Sequence, residues 1–423
     1  MSELPLLRNK SFIGLAGAQF LEAGNDNLFK MTVSLLAVDV LKDTNGGSYL
    51  SLSGALFALP YLLFSCYAGQ LADAIAKRTV LVLCKVAEIV ITMAAVFALA
   101  HAKWIEGLLF ILFLMAAHST FFSPAKYGSL PEIVPMRQLA RANGILEASR
   151  YAAIIIGTAA GGVLMQMWRH APERVGIVCV SIAVAGLACA LLVQRVAPAE
   201  PSRSSGTPWA SLAKGLKRIS RSPSLSRPVI SLAFFDGIAT LTMLDVLMIG
   251  KLELHLGDAA SGTVGAFAAI GAGIGALVYG HLSREKVELG MTPIAGLGIA
   301  ASLLALGATA NSYASIAALL FVLGVFAGLF VVPFVAWLQK TAGEGEKGLI
   351  ISTANFIDMA GVLGASGVLW FLHDGLGLAP KTILCASGIA TAAYVVVLTM
   401  TWKRLKSCLA LFFRSFQLQL NPQ

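Results

Sequence analysis

The sequence predicts an all-α integral membrane protein with 12 transmembrane helices in two pseudo-symmetric six-helix bundles. Three observations predict it. Of the 423 residues, 57% are hydrophobic and only 13% charged, and the mean hydropathy is +0.79. Soluble domains carry roughly 25% charged residues, so a water-soluble enzyme of this size is excluded: it could not cover its own surface. Apolar runs of the roughly 20 residues that one helical crossing needs recur twelve times along the chain. One long break, 194–228, rich in Pro, Ser and Arg, separates six runs from six.

In order, the first six runs fall at 12–40, 50–70, 79–100, 104–122, 142–167 and 175–194. The second six fall at 229–250, 262–281, 289–310, 313–338, 349–372 and 382–402. The organisation expected is a first bundle over 1–194, a basic cytoplasmic central loop over 195–228, a second bundle over 229–402 and a tail over 403–423. The first run follows basic residues but meets Glu22 and Asp26 without a cleavage-site pattern, so it reads as a retained crossing and not a signal peptide. In the tail, Leu405, Leu409, Phe412, Phe413 and Phe416 cluster at helical spacing, which suits an amphipathic helix on the membrane surface.

Orientation follows from the loops. Of 31 Lys and Arg, 22 fall on the side that holds both termini and the central loop, and 6 fall on the other. Positive residues stay in the cytoplasm, so both termini are expected there. The +9 net charge is a matter of topology, and no nucleic-acid partner is implied.

The two halves carry traces of a repeat. Gly69-Gln70-Leu71 ends the second crossing as Gly280-His281-Leu282 ends the eighth, and each precedes a short basic turn. Pro124 follows Gly69 by 55 residues, and Pro333 follows Gly280 by 53. The near-equal phase fits two halves related by an axis along the membrane normal. Gly157/Gly161, Gly271/Gly275 and Gly324/Gly328 have the spacing that lets helix backbones approach closely, and plain packing is their simplest reading. Pro60 and Pro333 each remove a backbone hydrogen bond inside a crossing.

Charges inside hydrocarbon cost at least about 2.5–3.5 kcal/mol each, so they mark function by default. Glu22, Asp26 and Lys30 are spaced by four and lie along one helical face over roughly 12 Å, with Asn25 and Asn27 beside the central acid. Such a stripe lines a polar cavity or faces a partner helix; the plainer reading is an internal Asp26–Lys30 salt bridge. Lys85 with Glu88, and Glu147 with Arg150, are three apart and suit self-neutralising pairs. Asp236, Asp245, Asn355 and Asp358 occupy the second half without a basic partner on their own helices. Their charge is then balanced across the cleft, by a proton, a cation or a substrate ammonium. The turn 69–78 after the second crossing, with Asp73, Lys77 and Arg78, suits a latch that bonds neighbouring helix ends in one conformation and releases them in another.

Catalytic signatures are missing from the sequence. The six histidines are scattered, as read from the runs, near membrane ends, and none is followed five residues on by Asp. There is no Gly-x4-Gly-Lys-Ser/Thr loop. The six cysteines include no CxxC and no ligand cluster with histidine. No enzyme, cofactor or metal is expected.

Twelve crossings in two halves with a latch turn after the second resemble the major facilitator superfamily. Several segments are similar to its bacterial lysophospholipid transporter family. They are Gln19-Phe20-Leu21 with Asp26-Asn27, Ser123-Pro-Ala-Lys-Tyr-Gly128, Ala142-Asn-Gly with Glu147-Ala-Ser149, and Phe330-Val-Val-Pro333 with Leu338-Gln339. The resemblance implies inward flipping of lysophospholipids across the bacterial inner membrane, with reacylation by a membrane-associated acyltransferase on the cytoplasmic side. It places Asp26, Asn27, Asp73, Lys126 and Glu147 on family positions. Two departures stand out: Asp358 where a Glu is expected, and Thr242 near a position that holds Arg in some members.

On this reading Asp26 with Glu22 holds a headgroup ammonium or a coupling cation. Lys126, with Lys85 or Arg150, attracts the phosphate, and Lys126 near the cytoplasmic surface would act at exit. A proton-coupled exporter of drugs or small solutes is the rival within the superfamily. A scaffold that docks an acyltransferase is the rival from another class, and the buried charge stripe speaks against it.

Overall fold

The structure is a computed structural model that describes residues 6–40, 46–101, 104–196, 207–255, 258–283, 287–343 and 345–402, with 405, 407 and 409. Thirteen α-helices fall among the described residues. They are α1 (Lys10–Val40), α2 (Gly46–Ala74), α3 (Lys77–Ala100), α4 (Ile105–Ile133), α5 (Leu139–Met167), α6 (Glu173–Leu191) and α7 (Pro208–Ser220). The second set is α8 (Pro223–Met248), α9 (Asp258–Leu282), α10 (Thr292–Thr309), α11 (Tyr313–Thr341), α12 (Lys347–Trp370) and α13 (Pro380–Thr401). Every expected crossing has its helix, and ten of the helices are long and apolar enough to cross a bilayer on their described residues. α1 and α2 complete the twelve, and no strand occurs among the described residues.

Three boundaries differ from the sequence reading, each for a local reason. α4 runs to Ile133 straight through Pro124 and Pro131, past the expected end of the fourth crossing at 122, so the Ser123–Gly128 segment is helical. Within the expected central loop, residues 208–220 form α7. The Thr207 hydroxyl accepts the Ala210 N–H at 3.4 Å, and Pro208 sits where a helix start tolerates it. Short five-residue π-helices extend α8 (Ile249–Glu253) and α12 (Phe371–Gly375). Of the tail, only Leu405, Ser407 and Leu409 are described; Phe412, Phe413 and Phe416 of its proposed amphipathic face lie outside the described residues.

By contact the chain divides into two units, and α5 and α12 contribute to both. The first comprises Met1–Pro135, Ala152–Pro223 and Gln339–Met359. Here α3 packs on α4 and α6, α2 on α4, and α1 on α4 and α6. Leu28, Phe29, Leu108, Leu112 and Met115 sit in its apolar core. Gly157 and Gly161 let α5 press against α1: an added Cβ at Gly157 would strike the Gly24 carbonyl, and one at Gly161 would lie 2.7 Å from the Leu28 oxygen.

The second unit comprises Met136–Tyr151, Ser224–Leu338 and Ala360–Gln423. Here α10 packs on α13, the counterpart of α3 on α6 in the first half, as the repeat predicts. The two remaining glycine pairs meet each other. Gly271 and Gly275 of α9 face Phe321 and Val325 of α11, while Gly324 and Gly328 of α11 face Ala268 and Ala272 of α9. These glycines serve helix packing, as their spacing implied. A small apolar pocket is lined by Phe235, Gly296, Phe330, Tyr394 and Val395, among others.

Candidate substrate site and latch

The polar residues of α1 meet those of α3 and α4 in the interior of the first unit. Glu88 of α3 is the hub and is fully buried. Its Oε2 takes the Lys85 ammonium at 2.7 Å, and its Oε1 accepts from Asn25 Nδ2 at 2.7 Å. The His118 Nε2 lies 3.6 Å from Oε2. Asn25 Nδ2 also reaches the Cys179 carbonyl of α6 at 3.2 Å. An ion pair removed from water persists only when its remaining lone pairs are satisfied; Asn25 meets that need at Oε1, and the His118 ring stands at ion-pair distance from Oε2.

Beside this hub stand the two acids of the α1 stripe. Asp26 Oδ2 accepts from Ser119 Oγ at 2.6 Å, whereas its Oδ1, also buried, has no hydrogen-bond partner. Lys30 lies within electrostatic reach of Asp26. Glu22 feels Lys85, His118 and Lys126 as attractive charges and Glu88 as a like charge. Lys126 is buried on α4, its ammonium 4.3 Å from the Tyr127 ring centroid and 6.0 Å from that of Phe122. Aromatic faces of this kind attract a cation, and the Lys126 ammonium also acts on the Glu22 carboxylate. Glu22 and Asp26 are only 6% and 5% exposed, so this arrangement closes the stripe against neighbouring helices.

The structure thus brings Glu22, Asp26, Lys30, Lys85 and Lys126 together. Asn27 turns elsewhere: its Nδ2 bonds the Ala23 carbonyl of its own helix at 2.8 Å. Asn355 of α12 donates to Ser123 Oγ of α4 at 2.9 Å, and Asp358 is half-buried one turn on. Lys85, expected near phosphate, is instead the counter-ion of Glu88. His118 corrects the reading of histidines as residues of membrane ends: it is buried in the middle of α4, beside the hub. Ser119 was missed with it. The available signal was their place beside each other in an apolar run, where α4 passes the acids of α1.

Glu147 and Arg150 lie in the second unit. Arg150 Nε bonds Glu147 Oε2 at 2.8 Å and its guanidinium lies 4.5 Å from the Tyr151 ring. Both act on Asp236 of α8, so this second-half acid finds its basic partner on α5. Asp245 has none of this: it is fully buried and neither carboxylate oxygen has a hydrogen-bond partner.

The turn after α2 grips three helix ends. The Asp73 carboxylate accepts the backbone N–H of Gly348 at 2.7 Å and of Leu349 at 2.8 Å, in the first turn of α12. Unpaired N–H groups and the helix dipole make that end attractive to an anion. Lys77 pairs with Glu132 in the last turn of α4 at 2.6 Å. Arg78 Nη2 donates to the Leu191 carbonyl, the last residue of α6, at 3.0 Å, the complementary use of a cation at a C-terminus. The approach is close enough to exclude side chains: a Cβ at Gly348 would lie 2.5 Å from the Gly69 carbonyl.

Twelve crossings, buried charges of both signs in a helical interior and a turn that clamps helix ends define a membrane transporter of the major facilitator type. Residues 15–366 match the Major Facilitator Superfamily, and the chain belongs to it. The lysophospholipid transporter of Serratia proteamaculans is 31% identical over 356 residues, covering 80% of this chain and 82% of that protein. That of Yersinia pestis is 30% identical over 350 residues, covering 80% of each. Among solved structures, the fucose:proton symporter of E. coli aligns at a TM-score of 0.73 with 15% identity, over 94% of this chain and all of that one. A bacterial homologue of the iron transporter ferroportin aligns at 0.68 with 15% identity, over 94% and 99%. At such identity these two share the fold.

Proposed function

We propose that the chain is a secondary transporter that flips lysophospholipids from the outer to the inner leaflet of the bacterial inner membrane. The observation that carries this reading is the relationship, over four fifths of both chains, to proteins named as lysophospholipid transporters. The site's chemistry supports it. A lysophospholipid headgroup pairs a phosphate with, often, an ammonium, and the first unit holds unlike charges within one cluster. Asp26 keeps a buried acceptor oxygen without a partner, which suits an ammonium. Lys126, packed on aromatic rings and acting on Glu22, is the cation to meet the phosphate.

In the arrangement described, the cluster is closed and the Asp73 latch engaged. Headgroup entry then requires the helices around Asp26 to part, and latch release exposes the lipid on the side of the basic loops. Both termini lie in the cytoplasm by the distribution of Lys and Arg, where an acyltransferase would reacylate the product. The test is reconstitution into liposomes with headgroup-labelled lysophosphatidylethanolamine. Inward movement well above that of protein-free vesicles is expected, and movement of a soluble-substrate panel without lysophospholipid would overturn the reading.

A further inference from the structure

The helix α7, in the segment between the halves, has two jobs for three faces, and one of those faces has no occupant among the described residues of the first unit. Its docked face carries Leu212, Gly215 and Ile219, all buried. Ser211 hydrogen-bonds Gln70 of α2. An added Cβ at Gly215 would strike Thr353 of α12. Arg218 Nε reaches Glu346 Oε2 at 3.2 Å. α7 therefore clasps α2 and α12, the two helices that Asp73 joins.

Next to the docked face, Trp209, Ala213 and Leu216 follow at i, i+4 and i+7 and point outward; Trp209 is 59% exposed and Leu216 40%. Beyond them Lys214 and Lys217, exposed like Arg221 at the C-cap, make a basic stripe. The helix, PWASLAKGLKRIS, holds no acid. Its anchors fix its depth. Gln70 precedes the end of α2 by four residues and Thr353 follows the start of α12 by six, so α7 lies within about 9 Å of two transmembrane helix ends. Only residues 221 and 222 separate it from α8. An apolar stripe beside a basic one, at the level where spanning helices leave the hydrocarbon, is the chemistry of a helix lying in an anionic membrane surface. Trp is a favoured residue at that depth.

We propose that α7 binds the anionic headgroup layer of the bilayer around the chain and, through Ser211, Gly215 and Arg218, holds the latch engaged while it does. Surface charge of the leaflet then regulates release of the latch. The inference needs only that the chain spans a bilayer, and stands or falls apart from the identity of the transported lipid.

Hydrogen exchange of the full chain in nanodiscs tests it, with zwitterionic phosphatidylcholine alone or with phosphatidylglycerol added. Each basic residue near an anionic surface strengthens attachment by about fivefold. Amides of 208–220 should therefore exchange at least about fivefold more slowly in the anionic discs, with 347–352 slowed alongside them. Both effects should vanish in Lys214→Gln/Lys217→Gln/Arg221→Gln, and in the native chain at about 1 M salt, where the Debye length is about 3 Å. Equal exchange in the two lipids overturns the proposal. So does slowing of 208–220 without 347–352, or protection that appears only when a cytosolic protein extract is added, which would assign the face to a protein.

Discussion

The Asp73 carboxylate caps α12 by accepting the Gly348 N–H at 2.7 Å and, through its second oxygen, the Leu349 N–H at 2.8 Å. Two charge-assisted bonds join a residue at the end of α2 to a helix 275 positions further along the chain. Hydrogen bonds to a charged group contribute about 1.5–3 kcal/mol each. Asp73→Ala leaves both donors without that acceptor and should lower the ratio of engaged to released latch by at least about a hundredfold. Asp73→Asn, which keeps one acceptor oxygen, should fall between. Alkylation of a cysteine introduced at Ser352, buried behind the latch at 2% exposure, reads the opening; an unchanged rate in Asp73→Ala would show that the two bonds do not hold the helices.

Gly348 makes the same point through sterics. A Cβ there would lie 2.5 Å from the Gly69 carbonyl and 2.7 Å from Asp73 Oδ1, so the two backbones must separate to admit a methyl group. Gly348→Ala is expected to raise alkylation at position 352 much as Asp73→Ala does. Because both substitutions act on one junction, the double variant should do no more than the stronger single one. Additive effects would mean that the glycine and the acid serve different interactions.

The buried pair of α3 separates structure from transport. Removing one partner of a buried ion pair costs about 3–5 kcal/mol, because the other charge is left uncompensated. Lys85→Met and Glu88→Gln singly should each lower the melting temperature in detergent, and Lys85→Met/Glu88→Gln should recover much of the loss. Glutamine keeps an oxygen for Asn25, which donates to Glu88 at 2.7 Å. The double variant should also retain lipid uptake within about tenfold, the size of one ordinary hydrogen-bond contribution. Loss of uptake in a double variant as stable as the native chain would place Lys85 or Glu88 among the groups that touch the headgroup.

How much of this was legible in the sequence depended on whether the signal was local. Twelve apolar runs became twelve helices, because hydrocarbon leaves the backbone no partner but itself. The i, i+3 pairs Lys85–Glu88 and Glu147–Arg150 formed as their spacing implied. The latch turn carried its own cue in Asp73, Lys77 and Arg78. Hidden from sequence were relations between helices. His118 and Ser119 gain their meaning from Glu88 and Asp26, which are far away in sequence, and Asp236 meets Arg150 only because α5 passes α8's unit. α7 was hidden for another reason: Pro, Ser and Arg around it read as loop, while the Thr207-Pro208 start and the apolar stripe act only within thirteen residues.

Asp26 is where the headgroup reading is most exposed to test. Its Oδ2 is fixed by Ser119 at 2.6 Å, and its Oδ1 is buried without a hydrogen-bond partner. Asn at this position keeps the shape and an oxygen for Ser119, so stability should change by no more than about 1 kcal/mol, a typical neutral hydrogen bond. It does not keep the charge that an ammonium or coupling cation would meet. Deleting one charge-assisted bond inside a closed site weakens binding by about ten- to a hundredfold, and uptake of lysophosphatidylethanolamine by Asp26→Asn should fall by that factor. Ser119→Ala removes only the group that orients the carboxylate, and should cost a few-fold, about 0.5–1.5 kcal/mol. A folded Asp26→Asn protein with native uptake would take Asp26 out of the site and leave Glu22, Lys30 and Lys126 as the charged groups to test next.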